Sequence, residues 1–255
     1  MHASVSAEIV APGPSRPLEG SVSFFVDFLP SSSPGADFPV GGARAPRAAV
    51  AIARALERQL RDARALDSEA LCVVPALAAW ALRVDVRIIE DAGNAGDAAA
   101  AATLAALLHF RLPDVTLVGR AWTVHPARER VPKPLAFHHT PVTVTLAAVA
   151  AAAAATHAGK DNESSPQLFA DPTSAETAAA GACVTIAANA HGELCGLIKS
   201  GPASLPLATL AQASLTATTI AKNIITAIRE ALSREEIEEG MRAKVRHTLA
   251  GSSRF

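Results

Sequence analysis

Tyrosine is absent from this 255-residue chain, tryptophan and methionine occur twice each, and aromatic residues make up only 4% of it. A core without aromatic bulk has to be filled by aliphatic side chains, and half the residues are hydrophobic, mostly alanine, valine, leucine and isoleucine. Cysteine is nearly as scarce. Cys72, Cys183 and Cys195 are far apart, odd in number and form no CxxC pair, which excludes a disulfide framework or thiolate zinc site and suits a reducing compartment. Neither sign of charge dominates: 23 Lys and Arg against 24 Asp and Glu leave a formal net charge of -1. No global basic field therefore advertises nucleic acid, and any such contact has to come from a local cluster. Long apolar runs are missing too. The longest, Val142 to Ala155, is too short for a bilayer and mostly alanine. The start has no signal-like pattern, so the expectation is a soluble intracellular protein with no membrane partner, built as one large or two small domains.

What is present is organised around Leu66 to Gly119. Cys72-Val73-Val74 is an apolar run of strand length. Trp80, Leu82, Val84, Val86 and Ile88 alternate with Arg83, Asp85 and Arg87, the period-two signature of a half-buried strand. Gly93-Asn94-Ala95-Gly96 breaks the chain, and Asp97 is placed to cap the helix that follows. From Ala98 to Phe110 that helix is apolar on nearly every side, so it requires burial in a sizeable core.

Upstream, Val5–Val10 and Val22–Phe28 read as strands joined by a turn at Pro12–Gly20, and Pro30–Pro46 reads as a surface loop. Arg47 to Ala63 is amphipathic, with Ala49, Ile52, Ala53, Leu56, Leu60 and Ala63 spaced to face a core. Arg47, Arg54, Arg58 and Arg61 stack on one face, with Glu57 and Asp62 off the stripe. Taken alone, such a stripe is a solvated helix face. Downstream, Thr116–Val118 and Thr123–Val124 read as strand pieces, Pro126–Pro134 as a charged loop, and Val142, Val144 and Leu146 as one face of a strand. His138-His139 has no third ligand at a recognised spacing, so no metal is expected. Ala147–Ala155 is low in complexity, and His157–Pro166 is a polar connector. Gln167–Asp171, Ala182–Ala188 and Glu193–Ile198 are the last strands. Ile220, Ile224, Ile228 and Leu232 mark a closing helix. Ser233 with Glu236 has the pattern of a capping box, which divides the chain into a domain at 1–232 and a charged tail at 233–255.

Several separated segments carry a resemblance: LDSEALCVV, WALRVDVRIIE, GNAGDAAAAATLAALLHFRLPDV and PLAFHHTPV. They follow one another as they do in the ribonuclease PH-like subunits of the RNA exosome ring, and the chain resembles that family over most of its length. In the branch it is most similar to, an alternating strand leads through an Asp-Gly-Asn turn into an Asp-Ala-Ala helix ending in His-Phe-Arg-x-Pro-Asp-Val. Glu193-Leu194-Cys195 and Lys199-Ser200-Gly201 resemble a sister subunit almost as well. The residues alone give only a soluble α+β domain. The resemblance implies a ribonuclease PH-like fold (ribosomal protein S5 domain 2-like), with sheets packed on helices and a strand end plus insertion at Ala147–Ala155. The family's further amino-terminal strand pair has no counterpart before Val5 in this sequence, whether the sequence is a fragment, its start is misplaced or the strands are dispensable, and the expectation is an open sheet edge unless a neighbour covers it.

Active members of that family cleave RNA from the 3′ end by attack of inorganic phosphate. This needs a donor cradle for the phosphate and a carboxylate pair at the leaving oxygen. The family's cradle is a Gly-Gly-Thr-Arg turn; here Gly93, Asn94, Ala95 and Gly96 stand in its place, and neither Ala95 nor Gly96 has a side-chain donor or a charge. The family's acids are two Asp six residues apart; Asp171 matches the first, and Thr177 stands at the second. Glu176, beside it, would point to the opposite face of a strand. Asp85, Glu90, Asp91 and Asp97 read as strand exterior, turn and cap. Losing one cradle donor removes about 3–4 kcal/mol of transition-state stabilisation.

The resemblance therefore implies a non-catalytic subunit with no cofactor and no metal. It would pair with other ribonuclease PH-like subunits in a hetero-hexameric ring, between S1/KH-type cap subunits and a hydrolytic exoribonuclease. It would thread single-stranded RNA, ribosomal RNA included, for 3′–5′ processing and degradation in nucleus, nucleolus and cytoplasm. Arg54, Arg58 and Arg61, with Arg47 in line, match the family's pore-lining arginines, whose planar forks grip phosphate oxygens. Two other readings stay open: an active phosphorolytic 3′–5′ exoribonuclease, and a ring scaffold whose arginines never meet RNA.

Overall fold

A computed structural model describes residues 1–29, 47–118, 121–126, 128–149 and 166–252. The loop expected at 30–46 and the low-complexity and polar stretches from 150 to 165 lie outside the described residues. The elements are β1 His2–Val10, β2 Ser21–Phe28, α1 Arg47–Leu56 running into a π-helical turn at Glu57–Asp62, β3 Cys72–Val74, β4 Ala78–Ile88 and α2 Ala95–His109. Then come β5 Arg111–Leu112, β6 Val115–Val118, β7 Ala121–Val124, β8 Lys133–Pro134 and β9 Val142–Val149. The chain continues with β10 Gln167–Ala170, α3 Ser174–Ala179, β11 Ala182–Ala188, β12 Leu194–Ser200 and α4 Leu207–Ser252.

The first sheet runs β1-β4-β2, with β3 paired to the start of β4. The two amino-terminal strands do not pair with each other: β4 inserts between them, antiparallel to β1 (Val5 opposite Val84) and parallel to β2 (Phe24 opposite Val84). The alternation in β4 explains its central place. Leu82, Val84, Val86 and Ile88 are all within 1% of full burial, while Arg83 and Arg87 are exposed. On that outer face the Arg83 guanidinium lies 4.2 Å from the centre of the Phe25 ring and grips Asp85 at 3.0 Å. Ala49, Leu56 and Leu60 cover the inner face together with Ala99, Ala100 and Leu107 of α2.

The second sheet runs β10-β9-β11-β12, antiparallel throughout. Val144, Leu146, Val184 and Ile186 meet Ala213, Ala217 and Ala221 of α4. The buried stripe of α4 is thus alanine, completed by Ile225, and the isoleucines expected to carry it, Ile220, Ile224 and Ile228, are half-buried along its flank. Small side chains let the helix approach the sheet closely, which is why the bulkier residues sit beside the contact. Leu104, Val142 and Ile225 form a third cluster that joins α2, β9 and α4. The helix also runs past the expected cap: the Ser233 hydroxyl donates to the Glu230 carbonyl at 3.0 Å inside a continuous α4, and Arg111 pairs with Glu236 across it. Side chains from Ser233 to Glu238 are exposed. Among the described residues no helix is long and apolar enough to cross a membrane.

Two predictions test this packing. Ala217→Leu, which overfills a fully buried site, should destabilise the fold by about 1–3 kcal/mol in urea unfolding, whereas Leu215→Ala on the exposed face should leave it within about 0.5 kcal/mol. Asp114, held by Arg130 at 2.7 Å and Lys133 at 3.1 Å, has its carboxyl lowered from the ordinary 3.8 to about 2 by those hydrogen bonds. A lowered folded-state value favours the folded state above the unfolded group's pKa, and the advantage is lost as pH falls through the folded one. The stability gap between wild type and Asp114→Asn should therefore be full above about pH 4, shrink below it and vanish near pH 2.

Candidate functional site

The arginines come from one continuous helical segment, but not from one straight stripe. At its end the Ala63 N–H reaches back five residues to the Arg58 carbonyl at 3.0 Å, and this widened π turn replaces the expected regular helix through Ala63. It turns two adjacent residues, Gln59 and Leu60, into the interior together, and it breaks the spacing that would have aligned Arg54 with Arg61. Arg47, Arg54, Arg58 and Arg61 are all exposed. Their charges are not equivalent. Arg61 pairs with Glu57 at 3.4 Å and Asp62 at 3.1 Å, the two acids expected to lie off the stripe. Arg47, Arg54 and Arg58 have no acidic partner among the described residues.

The turn before α2 is held shut by its own residues. Asn94 takes left-handed dihedrals (φ 50°, ψ 35°), which its short amide side chain tolerates. Asn94, not Asp97, therefore occupies the cap position of α2, and its side chain makes no capping bond. Its amide instead donates to Asp97 at 2.9 Å and to Asp171 at 2.8 Å. Asp97, in the first helical turn, accepts the Thr145 backbone N–H and the Thr145 hydroxyl (3.0 Å), and Thr145 bonds on to Thr185 at 2.9 Å. Gly93 (φ 126°) packs against the start of α3, where an added Cβ would lie 2.5 Å from the Ser174 nitrogen. At Gly96 the same Cβ meets nothing within 4 Å, so packing does not demand the missing side chain there.

Asp171 and Thr177 do not form a pair. Asp171, exposed and left-handed at φ 55°, is tied to Asn94, while Thr177 lies in α3. That segment was expected as a strand, but Thr173-x-x-Glu176 is a capping box: Glu176 accepts the Thr173 N–H at 2.8 Å and its hydroxyl at 2.9 Å. Those bonds hold the Glu176 carboxyl below its ordinary range. Glu176 is thus kept from Asp171 by a helix cap and not by strand alternation. His138 and His139 both donate their backbone N–H to the Ala65 carbonyl (2.9 and 3.4 Å), and burial lowers the His139 pKa. No group of three His, Cys, Asp or Glu suited to a metal stands among the described residues. The residues that sequence reasoning missed are Asn94, as the tie between two carboxylates, and Thr145, as their anchor; an Asn in a Gly-rich turn is the one signal that could have pointed to the first.

Comparison with known proteins follows this geometry closely. The profile of the 3′ exoribonuclease family, domain 1, matches residues 1–113, and that of domain 2 matches residues 148–220. The chain is 37% identical to exosome complex component RRP45A of Arabidopsis thaliana, across 98% of this chain and 77% of that protein. It is 32% identical to exosome complex component rrp45 of Schizosaccharomyces pombe (98% and 79%) and 34% identical to RRP45 of Danio rerio (91% and 55%), so it spans little more than half of the fish protein. RRP45 is the polymyositis–scleroderma autoantigen subunit. Among solved structures, a chain of the Archaeoglobus fulgidus exosome with RNA bound to the active site superposes with a TM-score of 0.68 at 21% identity, covering 88% of this chain and 77% of that one. That likeness fixes the fold: ribonuclease PH-like, two sheets packed on helices.

Chemically, an anion arriving at the turn meets two carboxylates, and the Asn94 amide there is already committed to both. Asp97→Ala would leave the Asn94 amide and Thr145 without their shared acceptor. The expected result is a loss of about 1.5–3 kcal/mol in chemical unfolding, the range for a hydrogen-bonded charge removed from a partly buried network.

Proposed function

The chain belongs to the 3′ exoribonuclease family, both of whose domains it carries in order, and from that premise we propose that it is a non-catalytic ring subunit of the RNA exosome. The observation that carries this reading is the turn at Gly93–Gly96. Where phosphorolysis needs donors for a phosphate dianion, the turn supplies no side-chain donor from Ala95 or Gly96 and spends its side-chain amide on two carboxylates. The role left to the subunit is mechanical and electrostatic. It holds its place beside other ribonuclease PH-like subunits, below S1/KH-type caps and above a hydrolytic exoribonuclease, in nucleus, nucleolus and cytoplasm. It presents Arg47, Arg54 and Arg58 to the backbone of a passing single strand, with no reading of sequence. Arg61 contributes less, because Glu57 and Asp62 already compensate it.

The test is RNA binding and degradation by the assembled ring. Arg54→Glu with Arg58→Glu should weaken single-stranded RNA binding and flatten its salt dependence by roughly 0.7 per lost phosphate contact, while Arg61→Glu should do much less. Added phosphate should release no nucleoside diphosphates attributable to this chain. Their release, and its loss in Asp171→Asn, would make the chain an enzyme and overturn the reading.

A further inference from the structure

A cleft of about 300 Å³ opens between the π turn and the second sheet, at the small end of the range for small-molecule sites. Ala55 and Ala63 wall one side, Thr143, Ala187 and Gly196 the other, and Arg58 also lines it. Neither the Gly93–Gly96 turn nor Asp171 does, so it is separate from the degenerate phosphate position.

Among the described residues, two polar groups that open on this cleft have no partner. Thr143 is 6% exposed and its hydroxyl makes no hydrogen bond, although Thr145, two residues along the same face, is fully engaged. Gln59 is also on the lining, but its unpartnered amide oxygen and nitrogen are both sealed from solvent and do not open on the cleft. Arg58 has no acidic partner among the described residues; Asp62, the acid on the lining, is taken by Arg61. Thr143 thus offers one free hydroxyl, and the exposed Arg58 one free cation, to a molecule entering the cleft.

We propose that this cleft takes one nucleobase of the single-stranded RNA whose backbone Arg54 and Arg58 hold, an inference that rests on the RNA-binding reading above. The chemistry of the lining favours a base. Alanine and glycine on opposing walls leave a slot with room for a flat ring. The unpartnered group inside is a neutral hydroxyl, which can donate to or accept from the edge of a base and offers a second phosphate no charge to pair with. The cation stands where the attached phosphate would emerge.

The probe is a labelled oligouridylate, compared with an abasic oligomer of the same phosphate number, on the ring reconstituted with the full chain. Gly196→Leu fills the slot, and its backbone accepts a side chain, since an added Cβ finds its nearest neighbour, the Ala187 Cβ, at 3.8 Å. Thr143→Val removes the hydroxyl without changing shape, and it carries the test if Gly196→Leu does not assemble. Both variants should lower the affinity of oligouridylate about fivefold, the scale of one hydrogen-bonded group, and leave abasic binding and its salt dependence unchanged. Unchanged oligouridylate affinity in both variants overturns the proposal while sparing the parent reading. Weakened ring assembly with RNA binding intact overturns it too, and assigns the slot to a partner's peptide. If Arg54→Glu with Arg58→Glu alters binding of neither oligomer, the parent reading fails and the base site with it.

Discussion

Asp97 joins the two halves of the molecule. From the first turn of α2 its carboxylate accepts both the backbone N–H and the hydroxyl of Thr145 in β9, and it accepts the Asn94 amide from the turn that precedes it. This single group ties the first turn of α2 to the second sheet and takes up the side chain of the turn before it. The helix it anchors is apolar on nearly all sides because it has a core on more than one of them. Ala99, Ala100 and Leu107 belong to the cluster under the first sheet, while Leu104 belongs to the one with Val142 and Ile225. A helix clamped in this way has little freedom to slide, so the geometry of the turn is set by packing on a scale much larger than the turn itself.

The same constraint explains the character of the turn at Gly93–Gly96. Two carboxylates held close to a common point repel each other unless something neutralises or bridges them. A cation or a bound metal would do so, and here a neutral amide does it by donating one N–H to each. The bridge satisfies the carboxylates without adding charge, and it commits the one side-chain donor of the turn. The result is a fixed structural contact between the start of α2 and the segment after β10.

Alternation made β4 legible residue by residue, because one face is buried and the other solvated, and the all-apolar run made the burial of α2 legible as well. What escaped sequence reasoning has a common physical origin: choices made between neighbouring local options by distant packing. Arg47 to Ala63 fits a regular helix, and only the interior contacts of Gln59 and Leu60 reveal the π turn. In α4, hydrophobicity points to the isoleucines, yet closeness of approach to the sheet selects Ala213, Ala217 and Ala221. Ser233 with Glu236 has the letters of a capping box but lies in a helix that never stops there, whereas Thr173 with Glu176 has the same letters and uses them. The pattern S/T-x-x-E is necessary for that cap and not sufficient; the backbone must already be leaving a helix or entering one.

In the proposed role, scarcity of charge is a working property. A subunit through which a strand must pass cannot grip it tightly, because each phosphate neutralised adds to the barrier for moving on by one nucleotide. A chain of net charge -1 that, among the described residues, leaves Arg47, Arg54 and Arg58 without an acidic partner and pairs off Arg61 supplies a small number of weak, salt-sensitive contacts. Planar guanidinium groups suit this, since each can pass from one phosphate oxygen to the next without a change of protonation. Had Glu57 and Asp62 been elsewhere, the helix would carry a fourth free cation beside the others and hold the strand more firmly. The ion pairs on Arg61 therefore belong to the same design as the free charges on Arg54 and Arg58: they set how strongly this wall of the channel can hold what moves along it.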